Sequence, residues 1–155
     1  MLRGIHPLLG PDLLHALRTM GHGDEIVLAD ANFPASTLGP KVIRADGVDA
    51  EPLLEAILQH LPLDTFAPAA AWRMAVVDDP ERVPEICTSY QRIVSRLAGS
   101  FAIESIERFA FYERSRQAAY IVATGEQQLY ANLILKKGVV RPEEWGLRAD
   151  IEEHP

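Results

Sequence analysis

Cysteine is nearly absent: Cys87 is the only one among 155 residues, so no intrachain disulfide can form. Long apolar runs are missing too. Nothing approaches the ~20 residues that a bilayer-spanning helix needs. The opening "MLRGIHPLLGPD" is broken at Pro11 and Asp12, too early for a signal-peptide core. Together these features set the expectation of a cytoplasmic protein. Positive charge is in short supply as well. Lys and Arg number 15 against 22 Asp and Glu, for a formal net charge of −7. A general nucleic-acid binder needs a basic stripe, and an anionic membrane attracts clustered cations, so neither is an expected partner. The glycines of "MGHGDE" lack the Gly-Lys-Ser/Thr of a phosphate loop. There is no internal repeat and no low-complexity linker.

What is present suits one domain with a sizeable core: 48% of residues are hydrophobic and an ordinary 24% are charged. "GPDLLHALRTMGHG" reads as a short helix with Pro11 at its first position, Asp12 near the positive end of the dipole, and Gly21 as a left-handed stop. "EIVLAD" follows as a buried strand and "KVIRAD" as a second. Asp49 is placed to cap a helix that runs to Leu61, buries Leu53, Leu54, Ile57 and Leu58, and ends at Pro62. Ala70–Val77 is a third strand candidate. A helix over about Pro84–Leu97 turns Ile86, Tyr90, Ile93, Val94 and Leu97 inward. "IERFAFYERSRQ" has helical spacing in Phe109, Tyr112 and Arg116. "AAYIVATG" and "LYANLILKKG" are the last two strand candidates. Strands alternating with helices imply a single three-layer α/β/α domain with a largely parallel or mixed sheet.

Ligands of such sheets gather at the carboxyl ends of strands. Asp30 stands at one such end. Thr124, Gly125 and Glu126 follow another, and Tyr130 and Asn132 flank the start of the last strand. His22 lies in a glycine-flexed loop before the first. Plain structural roles exist for both acid–base candidates: His22 can meet a helix dipole, and Asp30 in "DANFP" can cap a turn. The glycines on either side of His22 weigh against the plain role, because they cost backbone entropy. A metal set of His22, Asp24, Glu25 and Asp30 lacks any two-histidine spacing, and His6, His15, His60 and His154 are scattered, so no metal is expected. Cys87 falls on an apolar helix side and reads as core rather than nucleophile. Lys136 and Lys137 read as a solvated strand end.

Taken in order, "GHGDEIVLADANFPA", "GPKVIRADG", "RFAFYER", "IVATGE" and "YANLILKKGV" resemble the L-fucose mutarotase family and its sibling, the D-ribose pyranases. The resemblance covers residues 1–140. The extension 141–155 has no counterpart in it, although Trp145 and Leu147 give that tail something to dock with. The resemblance implies a cofactor-free isomerase that interconverts sugar anomers. His22 would be the proton donor, and Asp30, Arg108, Tyr130 and Asn132 would bind the monosaccharide, with L-fucose favoured. Ribose pyranases carry a histidine where Arg108 stands, which tips the choice towards fucose. Ala131 replaces a glycine common among fucose mutarotases, and Asn32 and Ser36 replace histidines of some members. The resemblance also implies a ring-based homodecamer of two stacked pentamers, with sites shared between neighbouring chains and His22 and Tyr130 drawn from different ones. Three aromatics within "RFAFYER" fit a subunit interface.

The chemistry agrees with these residue types. Opening a sugar ring requires a proton on the ring oxygen and loss of one from the anomeric hydroxyl; closure on the other face reverses both. A histidine with an ordinary pKa near ~6.5 gives and takes protons around neutrality. Asp30 accepts hydrogen bonds from sugar hydroxyls or holds His22 in position, Arg108 and Asn132 donate hydrogen bonds, and Tyr130 offers a hydroxyl or a ring face. A pyran-to-furan exchange of a pentose and a binding module without turnover use much of the same set. His22 separates the second, since a pure binder needs no proton shuttle.

Overall fold

A computed structural model describes residues 2–144. Six strands form one sheet: β1 (Glu25–Ala29), β2 (Lys41–Ala45), β3 (Ala71–Met74), β4 (Glu104–Ile106), β5 (Tyr120–Thr124) and β6 (Leu133–Lys136). Their order across the sheet is β2-β5-β1-β6-β3-β4. β1 and β2 run parallel to β5, and β3 runs parallel to β4. β6 is antiparallel to both of its neighbours, β1 and β3. The sheet is therefore mixed.

Alternation along the strands sorts the core into two layers. Ile26, Leu28, Val122, Leu133 and Leu135 face three helices: α1 (Pro11–Thr19), α2 (Ala50–Leu58) and α3 (Glu85–Leu97). Val27, Ala29, Ile121, Ala123 and Ile134 face the other way, towards Phe111 of α4 (Arg108–Gln117) and a short 3-10 turn, Ala35–Thr37. The result is the expected α/β/α sandwich, thickly covered on one face and thinly on the other. Arg114 fixes the lone helix to the sheet. Its guanidinium makes two bonds to Glu25, at 2.9 and 2.6 Å, and lies 3.4 Å from the centre of the Trp72 ring.

Several local expectations need correction. Gly21 is not left-handed; Gly23 is, at φ +87°, because the chain must reverse there before β1. α1 instead ends with Lys137, whose ammonium donates to the carbonyls of Leu17 and Met20, so Lys137 is a helix cap rather than a solvated end. Asp49 occupies the N-cap position of α2, but its side chain makes no capping bond; the Ala50 amide donates to Glu126 Oε2 at 3.4 Å. α2 stops at Leu58, before Pro62, and Leu97 is only half-buried. α4 begins at Arg108 because Ile106 belongs to β4, which the sequence pattern missed, and Glu107 caps the helix by accepting from the Phe109 and Ala110 amides. Phe111 and Ser115 form its buried stripe, while Phe109 and Arg116 are exposed. Residues 129–132 form the approach to β6 rather than strand. Trp145 and Leu147 lie outside the described residues.

Gly125 has a steric reason. A Cβ there would stand 2.2 Å from the Asp46 carbonyl oxygen, so only glycine lets the turn after β5 pass the turn after β2.

Candidate active site

β6 runs against β1, so its start lies beside the end of β1. Asp30 and Asn132 therefore meet. The Asp30 amide donates to Asn132 Oδ1 at 2.9 Å, and Asn132 Nδ2 donates to Asp30 Oδ2 at 2.7 Å. Both residues are buried. The other carboxylate oxygen accepts from the Asn32 amide at 2.9 Å. Asp30 is thus a turn cap as well as a cavity group, and the two readings of it are compatible. Burial pushes its carboxyl above the ordinary value; the Asn32 amide and Asn132 oppose that push, and the charge of Glu126 adds to it.

Arg108 and Tyr130 close on the same place. Arg108 is set by the start of α4, with its guanidinium 4.7 Å from the centre of the Phe109 ring. Its buried Nε has no hydrogen-bond partner among the described residues, an uncommon state for a strong donor. Tyr130 adopts φ +64°, a left-handed conformation that costs a bulky residue of order ~1–3 kcal/mol. Its hydroxyl accepts from the Val77 amide at 3.3 Å.

Asp30, Arg108, Tyr130 and Asn132 all line one cavity of about 200 Å³, whose apolar wall includes Phe33, Met74 and Tyr112. A cleft of about 410 Å³ adjoins this cavity at Val77 and Arg108, and clefts of about 620 and 670 Å³ lie elsewhere, but none of the three contains Asp30, Tyr130 or Asn132. Four of the five residues singled out from the sequence therefore converge in one chain.

His22 does not join them. It precedes β1 whereas Asp30 follows it, and the five-residue strand alone spans about 17 Å. At that far end His22 Nε2 lies 3.0 Å from Asp64 Oδ1, with the Phe66 ring 5.4 Å away. An ionised carboxylate only accepts, so Nε2 carries the hydrogen and Nδ1 is left as the second ring nitrogen. The His22 side chain is 45% exposed, enough to meet a group outside its own chain, while that of Asp64 is 5% exposed. No cluster of three or more potential metal ligands occurs among the described residues.

Asp64, Met74 and Tyr112 were not among the site residues read from the sequence: Tyr112 stood there only for its helical spacing and as an interface aromatic, and Asp64 left a trace as a lone acid in the apolar "LPLDTF". The Phe66 amide first, and His22 with it, hold the Asp64 carboxyl below the usual carboxylate range against the opposite push of burial. The unfolded chain then binds the proton more readily than the folded one. This stabilisation is complete above the ordinary carboxyl pKa of ~3.9 and is lost as pH falls through the lower folded value. Asp64→Asn is accordingly expected to lower the urea midpoint near neutrality, with the gap to wild type narrowing as the solution is acidified. A gap that stays constant through the acid range would contradict this coupling.

The two ends of the sheet share one surface property. Phe66 beside His22, and Leu129 and Phe109 beside the cavity, are each 66% exposed.

Comparison with known proteins places this geometry in context. Residues 3–140 match the family model described as the RbsD / FucU transport protein family. The fucose mutarotase of Bos taurus is 51% identical over 150 residues, covering 93% of this chain and 97% of that protein. The fucose mutarotase of Homo sapiens is 52% identical over 145 residues, covering 90% and 94%. The crystal structure of the fucose mutarotase of Streptococcus pneumoniae in complex with L-fucose superposes with a TM-score of 0.84 at 45% identity, covering 90% of this chain and all of that one.

Proposed function

The chain belongs to the RbsD / FucU transport protein family, and from that premise we propose that it is an isomerase that exchanges the α and β anomers of L-fucose by acid–base ring opening and closure. The observation that carries this reading is the convergence of Asp30, Arg108, Tyr130 and Asn132 on one cavity. Asp30 accepts from sugar hydroxyls, Arg108 and Asn132 donate, and Tyr130 does either. Phe33, Met74 and Tyr112 supply an apolar wall that suits the methyl group of a 6-deoxy sugar. His22 is the proton donor: Asp64 holds the ring through Nε2–H, so Nδ1 is the working nitrogen, and from the imidazolium form it gives its proton to the sugar ring oxygen.

Because His22 stands at the opposite end of β1 from the cavity, the working site takes its imidazole from a neighbouring copy. The exposed Phe66 and the exposed Leu129 and Phe109 are the apolar contacts available for that docking. The proposed assembly is a homodecamer of two stacked pentamers, resting on the family resemblance, and the proposed compartment is the cytoplasm. Among the described residues no helix is long and apolar enough to cross a membrane.

Ring opening and closure leave every oxidation state unchanged and transfer only protons, so exchange is expected to proceed without added metal or nucleotide. Magnetisation-exchange NMR on L-fucose, with D-ribose in parallel, tests this. Faster exchange of fucose anomers in chelator-treated protein supports the assignment. Acceleration confined to the pyran and furan forms of ribose replaces it with pyranase activity, and binding without exchange in either sugar leaves a sugar-binding module.

A further inference from the structure

Tyr130 holds a backbone conformation that a tyrosine rarely adopts, and nothing in its own side chain compels it. Strain of this kind persists only where the surroundings over-determine it. The surroundings here are one face of α3. The Tyr90 hydroxyl donates to the Ala131 carbonyl at 3.1 Å, and the Cys87 thiol donates to the Tyr130 carbonyl at 3.7 Å. Both donors are buried, Tyr90 completely. Two consecutive carbonyls of the strained turn are thereby gripped from behind. In front, the Tyr130 hydroxyl is bound by the Val77 amide, next to Asp78, the other left-handed non-glycine residue among those described.

We propose that Tyr90, assisted by Cys87, is a positioning residue for the active site: it holds the 130–131 backbone so that Tyr130 presents its side chain to the sugar. This rests on the mutarotase reading of the cavity and goes beyond it, since neither α3 residue lines that cavity. The direction of the bonds is set by the chemistry. A carbonyl only accepts, so Tyr90 must stay protonated to hold it, and burial drives its phenol pKa strongly upward. The Cys87 thiol is likewise pushed up, to about 11, and stays a donor at neutral pH.

A buried tyrosine hydroxyl often does no more than satisfy its own hydrogen bond, so the test must separate placement from stability. Tyr90→Phe removes one oxygen atom and leaves the ring in the core. L-fucose anomer exchange is to be measured well below the melting temperature in four proteins: wild type, Tyr90→Phe, Tyr130→Phe and the double variant. The expected result is a fall in exchange rate of roughly tenfold for Tyr90→Phe, of the size that small misplacements of reacting groups produce. In the Tyr130→Phe background the same change is expected to cost much less, because the group it positions is already disabled. A Tyr90→Phe protein that melts lower but exchanges fucose at the wild-type rate overturns the proposal, as does an equal loss in both backgrounds. If Tyr90→Phe does not fold, Cys87→Ala is put through the same cycle, and wild-type kinetics there overturn the proposal. A wild-type protein without fucose exchange removes the mutarotase reading and this proposal with it; an active wild type confines any failure to the role of Tyr90.

Discussion

His22→Ala is expected to slow fucose anomer exchange by about 10²- to 10⁴-fold, the usual contribution of a positioned general acid–base group. Sugar affinity should change far less, because the proposed ground-state contacts are those of Asp30, Arg108, Tyr130 and Asn132, in a cavity that His22 of the same chain does not line. The loss should not come from unfolding. The His22 side chain is 45% exposed, and the Asp64 carboxylate keeps its bond from the Phe66 amide when the imidazole is gone. Line-shape and saturation-transfer NMR on one sample give the exchange rate and the affinity together. A folded His22→Ala protein that exchanges fucose at the wild-type rate would remove His22 from the mechanism.

The second large effect is a recovery. His22→Ala and Arg108→Ala damage opposite ends of the sheet, and each protein alone should be strongly impaired. If each site takes its imidazole from one chain and its guanidinium from another, random mixing by co-refolding should leave about a quarter of the sites with both wild-type groups. Activity should therefore rise from near nothing to roughly a quarter of wild type. Arg108→Ala on its own should also weaken binding, since in the proposed site its donors meet hydroxyls already present in the ground state. Mixtures that stay as inactive as their parents would rule out the shared site. Sedimentation of the wild type as a fully active monomer would rule out the assembly as well.

Asp30, Tyr130 and Asn132 were legible in the sequence because they sit where strand ends had to be, whereas Arg108, at the start of α4, was reached only through the family resemblance. Asp30 closes an apolar run, and Tyr130 and Asn132 open another. Their meeting depended on β6 being antiparallel, which turns the start of one strand and the end of the other to the same edge. The layered α/β/α class and most helices followed from apolar spacing. β4 did not, because its three residues "ESI" carry no apolar alternation and are held by pairing with β3. The buried face of α4 was out of reach for a related reason: Phe109, Phe111 and Tyr112 stand within four positions, and only the packed sheet decides that Phe111 is the one covered. Asp64 was hidden by distance: it lies 42 positions from His22, and local spacing says nothing about such a pair. The role given to Asp49 failed because Glu126, from elsewhere in the chain, accepts from the Ala50 amide, and that given to Lys137 because the carbonyls of Leu17 and Met20 lie within its reach.

The place of β6 has a consequence for how the polypeptide emerges during synthesis. Among the described residues β6 is the last strand to be made, yet it lies inside the sheet, between β1 and β3. Until Lys136 has left the ribosome, the strands already made can pair only as two separate ribbons, β2-β5-β1 and β3-β4, each with an open apolar edge. The buried run Leu133–Leu135 joins them, and it carries Asn132 into contact with Asp30 in the same step. Closure of the sheet and assembly of the cavity are thus one late event, and a nascent chain that stalls before it has neither.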